Sequence, residues 1–332
     1  MSLAGEVNRY GIALGVDELQ NLEELGVSEI VDVVDVAPRD GLQSDAVMFS
    51  SAQKLELIRR IEFAGICRIE VASFVNPLRV PQMADAEDVF AGLQAARSHS
   101  DAGATHIGLV LNGRGFDRAV ASNAPEINVV VAVTDAFSQS NQSMTTDAAV
   151  AGAVEIVQRS RAVGLPVSVT LSVAFGCPFA GEVSTDQVLE IAQRIVTAGP
   201  NEIAIADTIG VAVPAAVRQL VGALLSTLPS NVALRAHFHN TRNTGLANAL
   251  AAVEAGVRTL DASLGGIGGC PFAPKATGNI ATEDLVYLLE RSGYSTGVDL
   301  ELLIEASDWL AAELGHPVPS LVAKAGSFPK TR

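Results

Sequence analysis

Short apolar runs, many of them β-branched, recur along the chain and alternate with longer amphipathic segments. Ile30 to Val36 is the first run. Ser51 to Ala64 follows it, with Leu55, Ile58 and Ile61 spaced to share one helical face. The same alternation then repeats. Strands are expected at 66–71, 106–111, 127–133, 167–173, 202–206, 232–238 and 259–262, and helices at 85–98, 115–122, 147–163, 184–198, 214–228, 246–255 and 282–291. Short, continuously apolar strands mean burial on both faces, as in a parallel sheet closed over by helices.

Eight such strands and their helices over roughly 260 residues match the usual extent of an α/β (β/α)8 TIM barrel. An open doubly wound sheet is the alternative, disfavoured because no strand leads into G-x-G-x-x-G. The pattern divides the chain into an N-terminal extension at 1–29, a barrel at 30–292 and a C-terminal helical cap at 293–332. A short helix is expected around Val16 to Leu25. A longer one at Leu300 to Leu314 reads as a cap or a subunit contact.

Composition narrows the setting. With 332 residues, 48% hydrophobic and 18% charged, the chain has ample material for one large core. No apolar run of membrane-spanning length escapes interruption by glycine or charge, and the N-terminus lacks a basic region followed by an apolar block. Cys67, Cys177 and Cys270 are odd in number and far apart, so they form no disulfide framework and a reducing cytoplasm is expected. Cys67 and Cys177 read as small buried packing residues. A formal charge of −15 argues against nucleic-acid or anionic-membrane partners. It also requires that any anionic substrate meet a local basic island.

The chemistry-bearing residues gather at one end of the expected barrel. His237 and His239 lie two apart at the end of the seventh strand, so both imidazoles face one space as a ready pair of divalent-metal ligands. Arg39, Asp40 and Gln43 follow the first strand, and Glu70 ends the second. Thr170 and Ser172 lie on the fifth, Asp207 and Thr208 end the sixth, and Ser263 ends the eighth, before a Gly-rich loop carrying Cys270. Barrel enzymes place function at these C-terminal strand ends. Asp40 sits in a Pro-Arg-Asp-Gly turn, where it either caps the next helix or joins the imidazoles. Asn279 is either an N-cap or a further oxygen ligand. One Asp, two His and an amide oxygen suit octahedral Mg2+ or Mn2+ better than structural zinc. Glu70 and Asp207, buried on strands, must be paired or functional. The glycines around Cys270 argue for a loop that closes over substrate.

Several stretches together carry a family resemblance. They are Pro-Arg-Asp-Gly-Leu-Gln at 38–43, Ile-Glu-Val-Ala-Ser-Phe-Val at 69–75, Val-Pro-Gln-Met-Ala-Asp at 80–85, Asp-Thr-Ile-Gly at 207–210, the two histidines, Gly-Gly-Cys-Pro at 268–271 and Gly-Asn-Ile-Ala-Thr-Glu-Asp at 278–284. The set, running from about Val31 to Arg291, resembles the 3-hydroxy-3-methylglutaryl-CoA lyase family. That resemblance implies a TIM-barrel metallolyase that splits a 3-hydroxy-3-methylglutaryl-CoA-like acyl-CoA into acetyl-CoA and a 3-oxo acid, acetoacetate in that family, with a divalent cation. Carried over by position, it makes Asp40, His237, His239 and Asn279 metal ligands and gives Arg39 the enolate oxygen. Glu70, Asp207 and Cys270 become catalytic or site-closing residues, with Glu283 nearby and Gln43 on the substrate side. A homodimer or larger homo-oligomer is expected. Asp40, a histidine or Glu70 could serve as general base.

The chain also departs from that family. It reads His-Phe-His-Asn-Thr-Arg-Asn-Thr at 237–244, and Phe137 to Asn141 contains no lysine. Arg242 is either a bidentate donor for an extra substrate carboxylate or an exposed loop residue. Lost lysine contacts to CoA phosphates would weaken binding unless Arg79, Arg114, Lys275 or Lys324 replaces them. The expectation is therefore that the preferred acyl group is not the methylglutaryl one, or that the methylglutaryl one is handled poorly. Leu42 stands where condensing synthases carry Glu, which favours a lyase over a Claisen-type synthase or aldolase. A catalytically silent ligand-binding barrel is the remaining alternative.

Overall fold

In the computed structural model the described residues are 6–7, 13–14, 29–97, 103–269 and 278–328. Eight parallel strands close into a barrel: β1 (Asp32–Asp35), β2 (Arg68–Ser73), β3 (Thr105–Val110), β4 (Glu126–Ala132), β5 (Val167–Ser172), β6 (Glu202–Asp207), β7 (Ala233–Phe238) and β8 (Thr259–Ala262). They follow one another in order, and β8 pairs back onto β1 through Leu260 and Val33. The expected (β/α)8 barrel is therefore the observed fold. Glu6–Val7 and Ala13–Leu14 form a separate antiparallel pair, while the helix expected around Val16 to Leu25 lies outside the described residues.

The outer layer contains α1 (Ser51–Phe63), α2 (Ala86–Arg97), α3 (Gly113–Ala121), α4 (Asp135–Gln142), α5 (Thr146–Ala162), α6 (Thr185–Val196), α7 (Pro214–Thr227), α8 (Gly245–Glu254) and α9 (Thr282–Arg291). Local chemistry sets the starts. Ser50 caps α1 in a reciprocal capping box with Gln53, and Thr145 and Ser184 cap α5 and α6. The helix α4 was not expected, because its sequence has no apolar stripe. Thr134 caps it and Ser143, in the left-handed region at φ 58°, ends it.

Strand parity divides the residues into two environments. Ile69 and Val71, Ile127 and Val129, and Ile203 and Ile205 are buried in the apolar core shared with the helices. The alternate positions carry Arg68, Glu126, Glu202, Arg235 and Asp261. They contact one another, Arg68 across non-neighbouring strands and Arg235 across neighbouring ones, and so fill the lumen with ion pairs.

The segment after α9 joins the barrel wall. In α10 (Leu300–Leu314), Trp309 packs edge-on to Phe49 at 6.5 Å under the Arg60 guanidinium, and Glu313 accepts from Gln53 at 2.7 Å. Cys177 is buried, as expected. Cys67 is exposed, a correction to the packing role, because it lies in the turn between α1 and β2, one residue before the strand begins.

Candidate active site

The C-terminal ends of the strands open into a cavity of about 1360 Å3. Its floor is prepared by a tight turn after β1. The carbonyl of Val36 accepts from the amides of Arg39, Asp40 and Gly41 at 3.2, 2.8 and 3.1 Å, with Pro38 leading the turn. This winding projects Arg39 and Asp40 over the lumen. Arg39 donates to Glu70 on β2 and to Asp40. The other Glu70 oxygen accepts from Asn128 at 2.8 Å, so both its oxygens are committed.

His237 and His239 present their rings side by side, with centroids 5.1 Å apart. Asp40, His237 and His239 each offer a ligand atom, and these atoms lie within 4.8 Å of one another. Asn279 reaches the group from the segment before α9, where a bridge to His239 holds its backbone. Its amide donates to Asp40 at 2.8 Å and to the Ile267 carbonyl at 3.1 Å. That close approach depends on glycine: a Cβ at Gly278 would overlap the carbonyl of Gly268.

Electrostatics differentiates these groups. Burial opposes the charge on Asp40, yet Arg39 and the two imidazoles hold its carboxyl well below the usual carboxylate range. Burial also opposes protonation of His237, but the hydrogen bond and charge of Asp261 raise it above its ordinary value. Burial and the adjacent His237 push His239 down to about 3, leaving it neutral.

The structure draws Arg39, Asp40, Gln43, His237 and His239 to the cavity lining, with Glu70 and Asn279 immediately behind. Three other sequence candidates are placed elsewhere. Asp207 is buried and turned toward its own loop, where its two oxygens accept from Val211 and Ala212 amides at 2.8 and 3.0 Å; burial raises its carboxyl. Glu283 grips the Gly265 amide with both oxygens at 3.1 and 2.9 Å, holding the loop below the site, and burial pushes it up to about 7. Arg242 donates to the carbonyls of Ile209 and Gly210 at 3.0 and 2.9 Å, so it braces the β6 loop and does not line the cavity. Its Nη1 is committed to these carbonyls, and the residue is exposed, as the loop-residue alternative expects. Cys270 and Lys275 lie outside the described residues.

Sequence reasoning missed Asp261 and Asn128. Asp261 bonds Nδ1 of His237 at 3.2 Å, and Asn128 links Glu70 to Thr170, accepting from the latter at 2.9 Å. Both interrupt apolar strands with a polar residue at a lumen-facing position, and that interruption was the available signal.

The residues fit a divalent cation. Among the described residues, the lumen sets three guanidiniums, Arg39, Arg68 and Arg235, against five carboxylates, Asp40, Glu70, Glu126, Glu202 and Asp261, an excess of two negative charges before any proton on His237 is counted. Asn279 Oδ1 is buried without a hydrogen-bond partner, and His239 turns Nε2 toward Asp40 Oδ2 at 3.9 Å. A buried acceptor left unpaired, as Asn279 Oδ1 is, is costly, and a cation satisfies it.

A closed parallel barrel with polar residues converging at its C-terminal mouth defines a TIM-barrel enzyme. Residues 30–310 match the HMGL-like family model, and the chain belongs to that family of carbon–carbon lyases acting on acyl-CoA substrates. It is 47% identical to the (R)-citramalyl-CoA lyase of Chloroflexus aurantiacus over 90% of this chain and 95% of the relative. It is 39% identical to the mitochondrial hydroxymethylglutaryl-CoA lyase of Mus musculus, covering 89% of each. An HMG-CoA lyase from A. baumannii, solved with coenzyme A and 3-methylmalate, superposes with a TM-score of 0.85 at 40% identity, covering 91% of this chain and 97% of that one.

Proposed function

We propose that the chain is a divalent-metal-dependent lyase that cleaves a branched 3-hydroxyacyl-CoA to acetyl-CoA and an oxo acid, with Mg2+ or Mn2+ held by Asp40, His237, His239 and Asn279. The observation that carries this reading is the meeting of that four-residue donor set with the Arg39–Glu70 pair on one cavity floor.

The reaction has three needs. The tertiary hydroxyl must lose its proton, the C–C bond beside it must break, and the electrons must reach the thioester carbonyl. When bound, the cation polarises the hydroxyl and orients the neighbouring carboxylate. Asp40 and His237 line the floor where the hydroxyl proton is taken up. Arg39 is permanently charged and meets the oxygen that becomes an enolate. Glu70 fixes that guanidinium, and Asn128 fixes Glu70. Protonation of the enolate carbon then gives acetyl-CoA.

The cavity mouth supports a CoA thioester. Arg79 and Arg114 line it, and their side chains carry no hydrogen bond, ion pair or ring contact among the described residues. In a chain of charge −15 they supply the local basic island that an anionic substrate needs. Lys324 lies apart, donating to the Pro319 carbonyl at 3.4 Å. We assign the two arginines to the CoA phosphates, in place of lysines in the 137–141 stretch.

Among acyl groups we place (R)-citramalyl first, on the 47% identity to a lyase named for it against 39% for the mouse methylglutaryl enzyme. The two acyl chains differ by one methylene, worth about 1–3 kcal/mol of discrimination. The test is turnover of (R)-citramalyl-CoA, (S)-citramalyl-CoA and 3-hydroxy-3-methylglutaryl-CoA with Mg2+ or Mn2+, beside acetyl-CoA plus 2-oxo acids. Preference for (R)-citramalyl-CoA is expected. A preference for the methylglutaryl thioester corrects the acyl group alone, whereas turnover only in the condensing direction defeats the lyase reading. The free thiols of Cys67 and Cys177 support a reducing compartment such as the cytoplasm.

A further inference from the structure

The two histidines of the site are held differently. His239 Nδ1 is buried with no hydrogen-bond partner. His237 Nδ1 lies 3.2 Å from Oδ2 of Asp261, which stands beside it on β8 in direct register. The second oxygen of Asp261 is 3.5 Å from Nη1 of Arg235, a residue of 0% exposure. Arg235 is anchored in turn: its Nε is 3.1 Å from Glu202, and Nη2 donates to Ser168 at 3.2 Å. A column of charges thus rises from the lower lumen and ends on one imidazole nitrogen.

We propose that Asp261 is a positioning residue for the metal site: it fixes His237 as the Nδ1–H tautomer, so that Nε2 offers its lone pair to the cation, while Arg235 locks Asp261 in place. The inference rests on the metal-dependent reading above. Its chemistry is that of an outer carboxylate behind a ligating imidazole, which sets the tautomer, orients the ring and raises its basicity. Asp261 is not among the residues whose ligand atoms converge; its Oδ2 faces His237, and its Oδ1 faces Arg235 as an ion pair without a hydrogen bond. His239 lacks such a partner, so the pair should respond unequally to loss of the column.

The test uses the full chain freed of metal with a chelator, and follows Mn2+ binding by electron paramagnetic resonance. Asp261→Asn keeps the shape and removes the charge. It should weaken Mn2+ binding roughly 10–100-fold. Glu126→Gln cuts the same lumen network at Arg68, away from the histidines, and should stay within about twofold of wild type in the same titration. A merely structural role for Asp261 would lower the melting temperature of both variants and leave their Mn2+ affinities alike, which overturns the proposal. Wild-type protein that binds no Mn2+ overturns it too, and locates the failure in the metal reading instead. Should Asp261→Asn fail to fold, nitrogen-15 histidine spectra of metal-free wild type, taken at a pH alkaline enough that the His237 ring is neutral, decide the matter. An Nδ1–H proton on His237 is expected, and an Nε2–H tautomer there defeats the assignment.

Discussion

The two ends of the barrel lumen use the same residue types to opposite effect. At the lower end Arg68, Glu126 and Glu202 answer one another, with Arg68 reaching both glutamates. At the upper end Asp40, His237, His239 and Asn279 converge with donor atoms unspent, among them Asn279 Oδ1 and the His239 Nε2 that faces Asp40. Paired charges in a low-dielectric interior serve as structure, whereas convergent unpaired donors serve a ligand. The difference implies that stability and activity are separable along one axis.

The sharpest way to break that contrast is at the top. His239→Ala should cost activity on the order of 10³-fold or more, since the cation supplies several kcal/mol of charge stabilisation. Divalent activation should vanish while the melting temperature stays within about 3 °C of wild type, because the ring sits at a rim. Unchanged Mn2+ affinity in this variant would show that His239 is no ligand. The mirror experiment is at the bottom. Arg68→Ala strips Glu126 of its guanidinium and weakens the pairing of Glu202, and should cost about 3–5 kcal/mol in urea unfolding. Its kcat should remain near wild type. A collapse of kcat with stability intact would mean that the lower charges act on chemistry and are not merely structural.

The same contrast governs what was legible in the sequence. The alternation of apolar runs and amphipathic segments is read along the chain, so the eight strands and their order were accessible. The His-x-His pair was also local, because two residues on a strand share a face. Asn279 and Asp40 were accessible as candidates, since both sit beside turn glycines at strand ends. The lumen ion pairs were not, because Arg68 and Glu202 are 134 positions apart and meet only when the barrel closes. Asp261 was signalled only by its polar interruption of β8, because its partner His237 lies 24 positions away on the neighbouring strand. Arg242, Asp207 and Glu283 show the converse: a charged residue at the correct end of a barrel still has to choose between the cavity and its own loop, and backbone amides or carbonyls within 3.1 Å claimed all three. The helix α4 was hidden because capping, not an apolar stripe, defines it.

A smaller effect sharpens the comparison at the cavity mouth, where the charges are exposed. Arg79→Ala and Arg114→Ala should each raise KM for an acyl-CoA by about tenfold, the low end of the 1.5–3 kcal/mol for bonds to charged groups. Neither should change kcat. The wild-type advantage should shrink in high salt, and should disappear with a pantetheine thioester that carries no phosphates. A kcat loss in either variant would move that arginine from the mouth to the reaction.

The smallest effect concerns buried carboxyls outside the lumen, where burial wins over pairing. Asp35, on β1, accepts from the Ala37 amide at 2.8 Å and the Thr282 hydroxyl at 2.7 Å, yet burial pushes it up to about 7. Glu283 is likewise held near 7 by burial. Both pKa values are higher in the folded chain than in the unfolded one, so between about pH 4 and 7 the folded state binds more protons. Stability must therefore fall as pH rises through that window, by at most about 1.4 kcal/mol per pH unit for each group, and level off above it. Asp40 runs the other way: its lowered carboxyl favours the fold once ionised, and that contribution is lost only in strong acid. Asp35→Asn tests the sign. The side-chain oxygen of asparagine can still accept from Ala37, and the Thr282 hydroxyl can rotate to accept from the new amide, so the local bonds survive without a titrating group. Urea midpoints from pH 4.5 to 7.5, measured in chelator to keep metal linkage out, should show a shallower slope for the variant than for wild type. Parallel curves would mean that Asp35 keeps its ordinary acidity in the fold, and that its two hydrogen bonds outweigh burial after all.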